Sequence, residues 1–329
     1  MKKSVLFSIA AILIISLVAC GNTSEGNLSD DSIEGTTNAS DTSEETKENA
    51  TEITITYLGE EYTVPNPVEN IVAASLEGME DAAALGIKPV GVLEVAGEIP
   101  EYLAKDLEGA TLIGDKTAPN AEVILTLDPD VIIGTSKWGE ETMAQLNKIA
   151  TTLPYSHIST NWKENLLTLG ELAGKKDEAQ QIIDDYEVKA NEAKTSLANS
   201  ADDKEVLVIR IRGGLMYIYS PDVYVNPILY EDLGLKVPEI VENAEQQQEI
   251  TLETLSEVDP DVIFLQFEEA ENLDAPSALD DLLENPVFSN LTASKNDEVY
   301  VNTIAPLAQG GTAWSKTRFL DAAVDKLVK

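Results

Sequence analysis

The sequence predicts an α/β protein of two Rossmann-like lobes with largely parallel sheets, joined by a single long α-helix. Three observations carry this expectation. Two segments 131 residues apart share one helix-to-strand pattern. Short β-branched apolar runs alternate with helical stretches in both halves of the chain. A helical pattern from about Trp162 to Ala198 separates those halves.

In chain order, residues 1–20 read first as a leader. Lys2 and Lys3 precede an apolar run from Val5 to Val18 that breaks at Ala19-Cys20-Gly21. The run is shorter than the roughly 20 apolar residues a membrane span needs. Leu17-Val18-Ala19-Cys20 resembles the lipobox of bacterial lipoproteins, which implies that Cys20 is diacylated and becomes the mature N-terminus. It is the sole cysteine of the chain, so a disulfide or a Cys-rich metal site is excluded. Residues 21–52, rich in Ser, Thr, Asn, Asp and Glu, have too few large apolar side chains to form a core and read as a disordered tether.

Residues 53–161 form the expected first lobe. Ile71 to Ala74, Val90 to Leu93, Leu112-Ile113 and Val131 to Gly134 read as strands, with a helix over Gly78 to Leu85. Residues 162–200 read as connecting helices interrupted near Gly174, the second running from Lys176 to Ala198. At 1.5 Å per residue that strut is about 35 Å long. Ile182, Ile183, Tyr186 and Ala190 recur at helical spacing and can pack on both lobes. Residues 201–329 form the second lobe. The repeated unit is Asn120-Ala-Glu122 through Asp128-Pro129-Asp130-Val-Ile-Ile, matched by Thr251-Leu-Glu253 through Asp259-Pro260-Asp261-Val-Ile-Phe. In each, Asn120 or Thr251 caps a short helix, Asp-Pro-Asp turns the chain, and an apolar run enters a buried strand.

These features, with Ala84-Leu-Gly86-Ile-Lys-Pro89-Val-Gly91 and Ile228-Leu-Tyr-Glu-Asp-Leu-Gly234, make residues 53–329 resemble the class III substrate-binding proteins of ABC importers. These are the ferric-siderophore, haem and cobalamin binders whose lobes share one long helix. The resemblance implies a lipid-anchored, extracytoplasmic binding protein that hands its cargo to a membrane permease with a separate ATPase. It also implies that Glu122 and Glu253, one per lobe, dock against arginines of that permease. Each glutamate also suits the positive end of its helix dipole.

The ligand site is sought where cations gather, because the chain carries a formal charge of −37 and only three arginines. That charge argues against nucleic acid as a partner. Arg210 and Arg212 lie two residues apart in an apolar run and so point to one face of a strand. Gly213-Gly214 turns the chain into Leu215 to Tyr219, which reads as a hairpin that sets Arg212 opposite Leu215 and Arg210 opposite Tyr217. Both arginines, Tyr217 and Tyr219 then share a face suited to the oxygen-rich surface of a chelated metal. Strand ends add Lys137 and Trp138 from the first lobe. Trp314 and Arg318, four residues apart, are expected to cover the site from the second lobe. His157 and Trp162 flank the crossover, with His157 read as a polar loop residue.

One histidine and no usable cysteine disfavour direct zinc or manganese binding. No hydrolase constellation and no phosphate-binding loop is apparent, so the chain is read as a non-enzyme without a cofactor, acting as a monomer. The expected cargo is ferric iron held in a siderophore, whether catecholate, citrate-type or hydroxamate. Haem stays open through Tyr217, Tyr219 or Met216 as an axial ligand, and cobalamin stays open too.

Overall fold

The structure, a computed structural model, describes residues 51–198 and 204–328. The expected leader, Cys20 and the tether to residue 50 lie outside the described residues. Glu52, the last residue of the expected tether, instead opens a strand.

The first lobe begins with an antiparallel hairpin, β1 (Glu52–Tyr57) and β2 (Glu60–Pro65), which the sequence reading missed. Its Tyr57 hydroxyl donates to Asn165 at 2.7 Å and so fastens the hairpin to the connecting helices. There follow β3 (Ile71–Ala73), α1 (Leu76–Leu85), β4 (Gly91–Glu94), α2 (Glu101–Ala104), β5 (Thr111–Asp115), β6 (Ala118–Pro119), α3 (Ala121–Thr126), β7 (Val131–Ile133), α4 (Glu140–Leu146) and β8 (Thr151–Leu153). Their six-stranded sheet has the order β6-β5-β4-β3-β7-β8, parallel except for the two-residue edge strand β6. Val131, Ile132 and Ile133 are wholly buried. Each such side chain contributes about 1.5–3 kcal/mol by leaving water.

The connection comprises α5 (Trp162–Leu172) and α6 (Lys176–Leu197), with the break at Gly174 where it is expected. The 22 residues of α6 span about 33 Å. Its buried residues Ile183, Tyr186, Ala190, Ala193 and Leu197 recur at helical spacing. They pack chiefly on α5 on one side, and on the C-terminal helix and the Ile228–Asp232 turn on the other. Contact with the first lobe therefore runs largely through α5.

The second lobe holds β9 (Val206–Arg212), β10 (Leu215–Tyr219), α7 (Glu239–Glu242), β11 (Gln247–Ile250), α8 (Leu252–Val258), β12 (Val262–Phe267), α9 (Ala278–Leu283), α10 (Thr292–Lys295), β13 (Val299–Val301) and α11 (Ala313–Leu327). The sheet order is β11-β10-β9-β12-β13. β9, β12 and β13 run parallel, while the hairpin makes β10 antiparallel to both neighbours. This sheet is thus mixed, because a two-residue turn can only reverse the chain. Gly213 and Gly214 both have positive φ, 56° and 78°, as a primed hairpin turn demands.

The internal repeat extends to single hydrogen bonds. Asn120 caps α3 by accepting from the backbone of Glu122 and Val123, and Thr251 caps α8 by accepting from Thr254. Asp128 and Asp259 both turn the chain with φ of 47°. Asp130 Oδ2 accepts from the backbone N–H of Glu69 and Asn70 at 2.7 and 2.8 Å, just before β3. Asp261 Oδ2 accepts from Glu205 N–H at 2.8 Å, just before β9. In each lobe the closing aspartate pins the strand that its own strand pairs with.

The C-terminal helix α11 packs on α1 of the first lobe as well as on α6 and α5. Its Lys316 is buried, donates to Asp232 at 2.7 Å, and lies over the rings of Trp162 and Tyr186. No helix among the described residues is long and apolar enough to cross a membrane.

Candidate functional site

A cleft of about 490 Å³ opens between the lobes. The first lobe supplies its wall from the ends of parallel strands, the usual location of ligands in such sheets. After β3 come Ser75 and Glu77, after β5 comes Lys116, and after β7 come Thr135, Lys137 and Trp138. Trp138 fits because Gly134 has no side chain: a Cβ there would lie 2.9 Å from the ring atom Cζ3. The second lobe supplies Arg210 and Arg212 from β9, Tyr219 from β10, and Tyr224 and Glu271 from the loops.

The hairpin register is as expected, with Arg212 opposite Leu215 and Arg210 opposite Tyr217. Arg210 is almost fully buried, while the side chain of Arg212, nearer the turn, is 36% exposed. Glu271 gathers the cations. Its Oε2 accepts from Arg210 at 2.8 Å and lies 3.4 Å from Arg212 Nε, and its Oε1 lies 2.5 Å from Lys116 Nζ of the opposite lobe. Burial opposes the charged carboxylate, but Arg210, Lys116 and Arg212 outweigh it and hold the Glu271 carboxyl below the usual glutamate range. Lys137 Nζ pairs with the buried Glu77 at 2.7 Å. Arg210 also lies over the Tyr224 ring, 5.4 Å from its centroid, and Tyr224 packs against Tyr219. The hydroxyls of both tyrosines are buried without a hydrogen-bond partner.

Five of the eight expected ligand residues therefore converge: Arg210, Arg212, Tyr219, Lys137 and Trp138. Three do not. Tyr217 shares the register but is half-buried beside Glu249 of β11, a strand the sequence reading did not anticipate, and it is not among the cleft residues. Trp314 is drawn away by the docking of α11 on the first lobe, where its ring packs against Tyr102 at 4.8 Å. Arg318 stacks on that same indole, 3.8 Å from the centroid, sharing a helix face as expected but outside the cleft. His157, read as a loop residue, does line the cleft; its Nδ1 lies 2.7 Å from Ser136 Oγ.

Sequence reasoning missed Lys116, Glu271 and Tyr224. Lys116 was within reach, since it follows the strand at Leu112-Ile113 just as Lys137 follows Val131 to Gly134. Glu271 and Tyr224 sit in loops whose course only the folded chain reveals. Glu122 and Glu253 are both exposed in the first turn of their capped helices. α3 follows the Lys116 turn through the short strand β6, and α8 starts directly after β11, whose Gln247 lines the cleft.

Residues 71–303 match the periplasmic binding protein family profile. The chain belongs to the periplasmic binding protein family. Over 330 residues this periplasmic binding protein is 44% identical to the "Iron-uptake system-binding protein" of Bacillus subtilis (strain 168), covering 100% of each chain. Its fold superimposes with a TM-score of 0.81 on the triscatecholate siderophore binding protein FeuA from Bacillus subtilis complexed with ferri-bacillibactin. That pair is 48% identical and covers 84% of this chain and 98% of the other. Staphylococcus aureus SirA complexed with staphyloferrin B shares the fold, with a TM-score of 0.72 at 24% identity over 84% of this chain and 98% of the other. The family and its structures agree with the two-lobed α/β architecture expected from the sequence.

Proposed function

We propose that this chain is the extracytoplasmic, lipid-anchored binding protein of an ABC importer and that its cargo is a ferric siderophore, a tris-catecholate complex in particular. One observation carries the reading. In a chain of net charge −37, four side-chain cations, Lys116, Lys137, Arg210 and Arg212, line one cleft with Tyr219, Tyr224 and Trp138. Such a cleft suits a trianionic, aromatic guest: guanidinium and ammonium groups pair with catecholate oxygens while the rings cover the apolar faces. The relative solved with ferri-bacillibactin supports the same cargo.

The work is reversible capture without chemistry, so iron is carried as cargo. The stiff α6 limits the lobes to small movements, and Glu122 and Glu253 dock on the permease, whose separate ATPase supplies the energy. Cys20 holds the protein at the membrane; Cys20→Ser should release it into the medium. Of the three axial candidates for haem named from the sequence, Tyr219 alone is a cleft residue.

Quenching of tryptophan fluorescence in the purified protein tests the cargo. A ferric tris-catecholate should bind at submicromolar concentration, ahead of ferric citrate, ferric trihydroxamate, haemin and cobalamin. Binding of haemin alone would overturn the assignment.

A further inference from the structure

A carboxylate of the protein itself stands among the cations of the cleft. Glu271 touches Arg210, Arg212 and Lys116 at once, and through Lys116 it reaches across from the second lobe to the first. It is also held firmly. The Glu271 carbonyl accepts from Gly213 N–H at 3.0 Å, and the next residue, Asn272, donates to the carbonyls of Ile211 and Glu268 and accepts from Gly214 N–H. The segment after β12 is thus strapped to the hairpin turn, which presents the carboxylate to the arginines and not to solvent.

We propose that Glu271 is the displaceable internal anion of the cleft: it keeps three cations converged while the protein is empty, and it is the group over which an anionic ligand must prevail. This inference rests on the cargo reading above. Its chemical consequence is a charge filter. A ferric tris-catecholate is trianionic and can outcompete a single carboxylate for the cations. A ferric trihydroxamate is neutral and has no charge to set against it. The same competition lowers the affinity for the anionic guest and so assists its release once the loaded protein has docked. Glu77 is a second buried carboxylate in the cleft, and its ion-pair partner Lys137 belongs to its own lobe.

The variant Glu271→Gln keeps the shape and one acceptor oxygen while removing the charge. Expected is about tenfold tighter binding of a ferric tris-catecholate, with the affinity for a neutral ferric trihydroxamate changed less than about threefold. Unchanged or weaker binding of the trianion, or equal tightening for both complexes, overturns the assignment. If the wild-type protein binds neither complex, the cargo reading fails and Glu271 is judged in the ligand-free protein. Spin labels on Glu98→Cys and Glu284→Cys in a Cys20→Ser background then report the inter-lobe distance. A broader distribution in Glu271→Gln than in its parent supports the internal-anion role, and identical distributions overturn it.

Discussion

Glu80 of α1 accepts a hydrogen bond from the Thr312 hydroxyl at 2.5 Å, which joins a first-lobe helix to the cap of the C-terminal helix. The same carboxyl accepts from Tyr102 and from the backbone of Gln309, and the adjacent Asp81 accepts from Ala313 N–H. Both carboxyls are fully buried, and burial pushes both upward in pKa against those hydrogen bonds.

A carboxyl raised in the folded state stays protonated when its unfolded counterpart ionises, so its stability contribution is present in mild acid and is lost as pH rises. Melting should therefore occur at a higher temperature at pH 5.5 than at pH 7.5. Glu80→Gln should shrink that difference. An undiminished difference in the variant would assign the effect to other groups. Glu271, Asp115 and Asp259, all held low, contribute in the opposite sense and only on stronger acidification.

Gly134 makes room for Trp138, and the Cβ of Gly134→Ala would meet the indole, Thr152 and the Leu153 carbonyl, all within about 3.2 Å. Overpacking of this kind costs about 1–3 kcal/mol. The variant should melt lower, shift the tryptophan emission and bind the ferric complex more weakly. Calorimetry and fluorescence titration of one preparation check all three effects.

The paired aspartates give a symmetric prediction. Asp130→Ala and Asp261→Ala each remove the acceptor of exposed or half-buried backbone N–H groups, at a cost of about 0.5–1.5 kcal/mol per hydrogen bond. Asp130→Ala, which loses two such bonds, should cost more than Asp261→Ala. Urea unfolding measured on both would show it.

Glu122→Arg combined with Glu253→Arg should abolish iron uptake in cells while leaving the affinity of the purified protein unchanged. Both side chains are exposed and neither lines the cleft. Normal uptake by the double variant would remove the docking role.

Much of the fold was legible in the sequence because its signals are local. The Asp-Pro-Asp repeat, the break at Gly174 and the Gly213-Gly214 turn each name an element from its own residues. The hairpin of β1 and β2 escaped notice because its apolar positions follow directly on a polar tether, and β11 because Gln247-Gln-Glu-Ile250 lacks an apolar pattern. Within the site, scarcity of arginine pointed to Arg210 and Arg212, and strand ends pointed to Lys137 and Trp138. Trp314 and Arg318 were misplaced because the side on which a terminal helix docks is a tertiary matter. Glu271 was hidden for the opposite reason: in a chain with 59 acidic residues, no sequence feature marks a carboxylate that three cations surround.

If cations from both lobes grip an anionic ferric complex, the triple variant Lys116→Ala, Lys137→Ala, Arg212→Ala must lose most of its affinity. Ion pairs at partly exposed positions are each worth up to about 1 kcal/mol, so titration with a ferric tris-catecholate should show binding weakened about a hundredfold while the protein still melts cooperatively. Wild-type affinity in that folded variant would show that these cations do not hold the ligand.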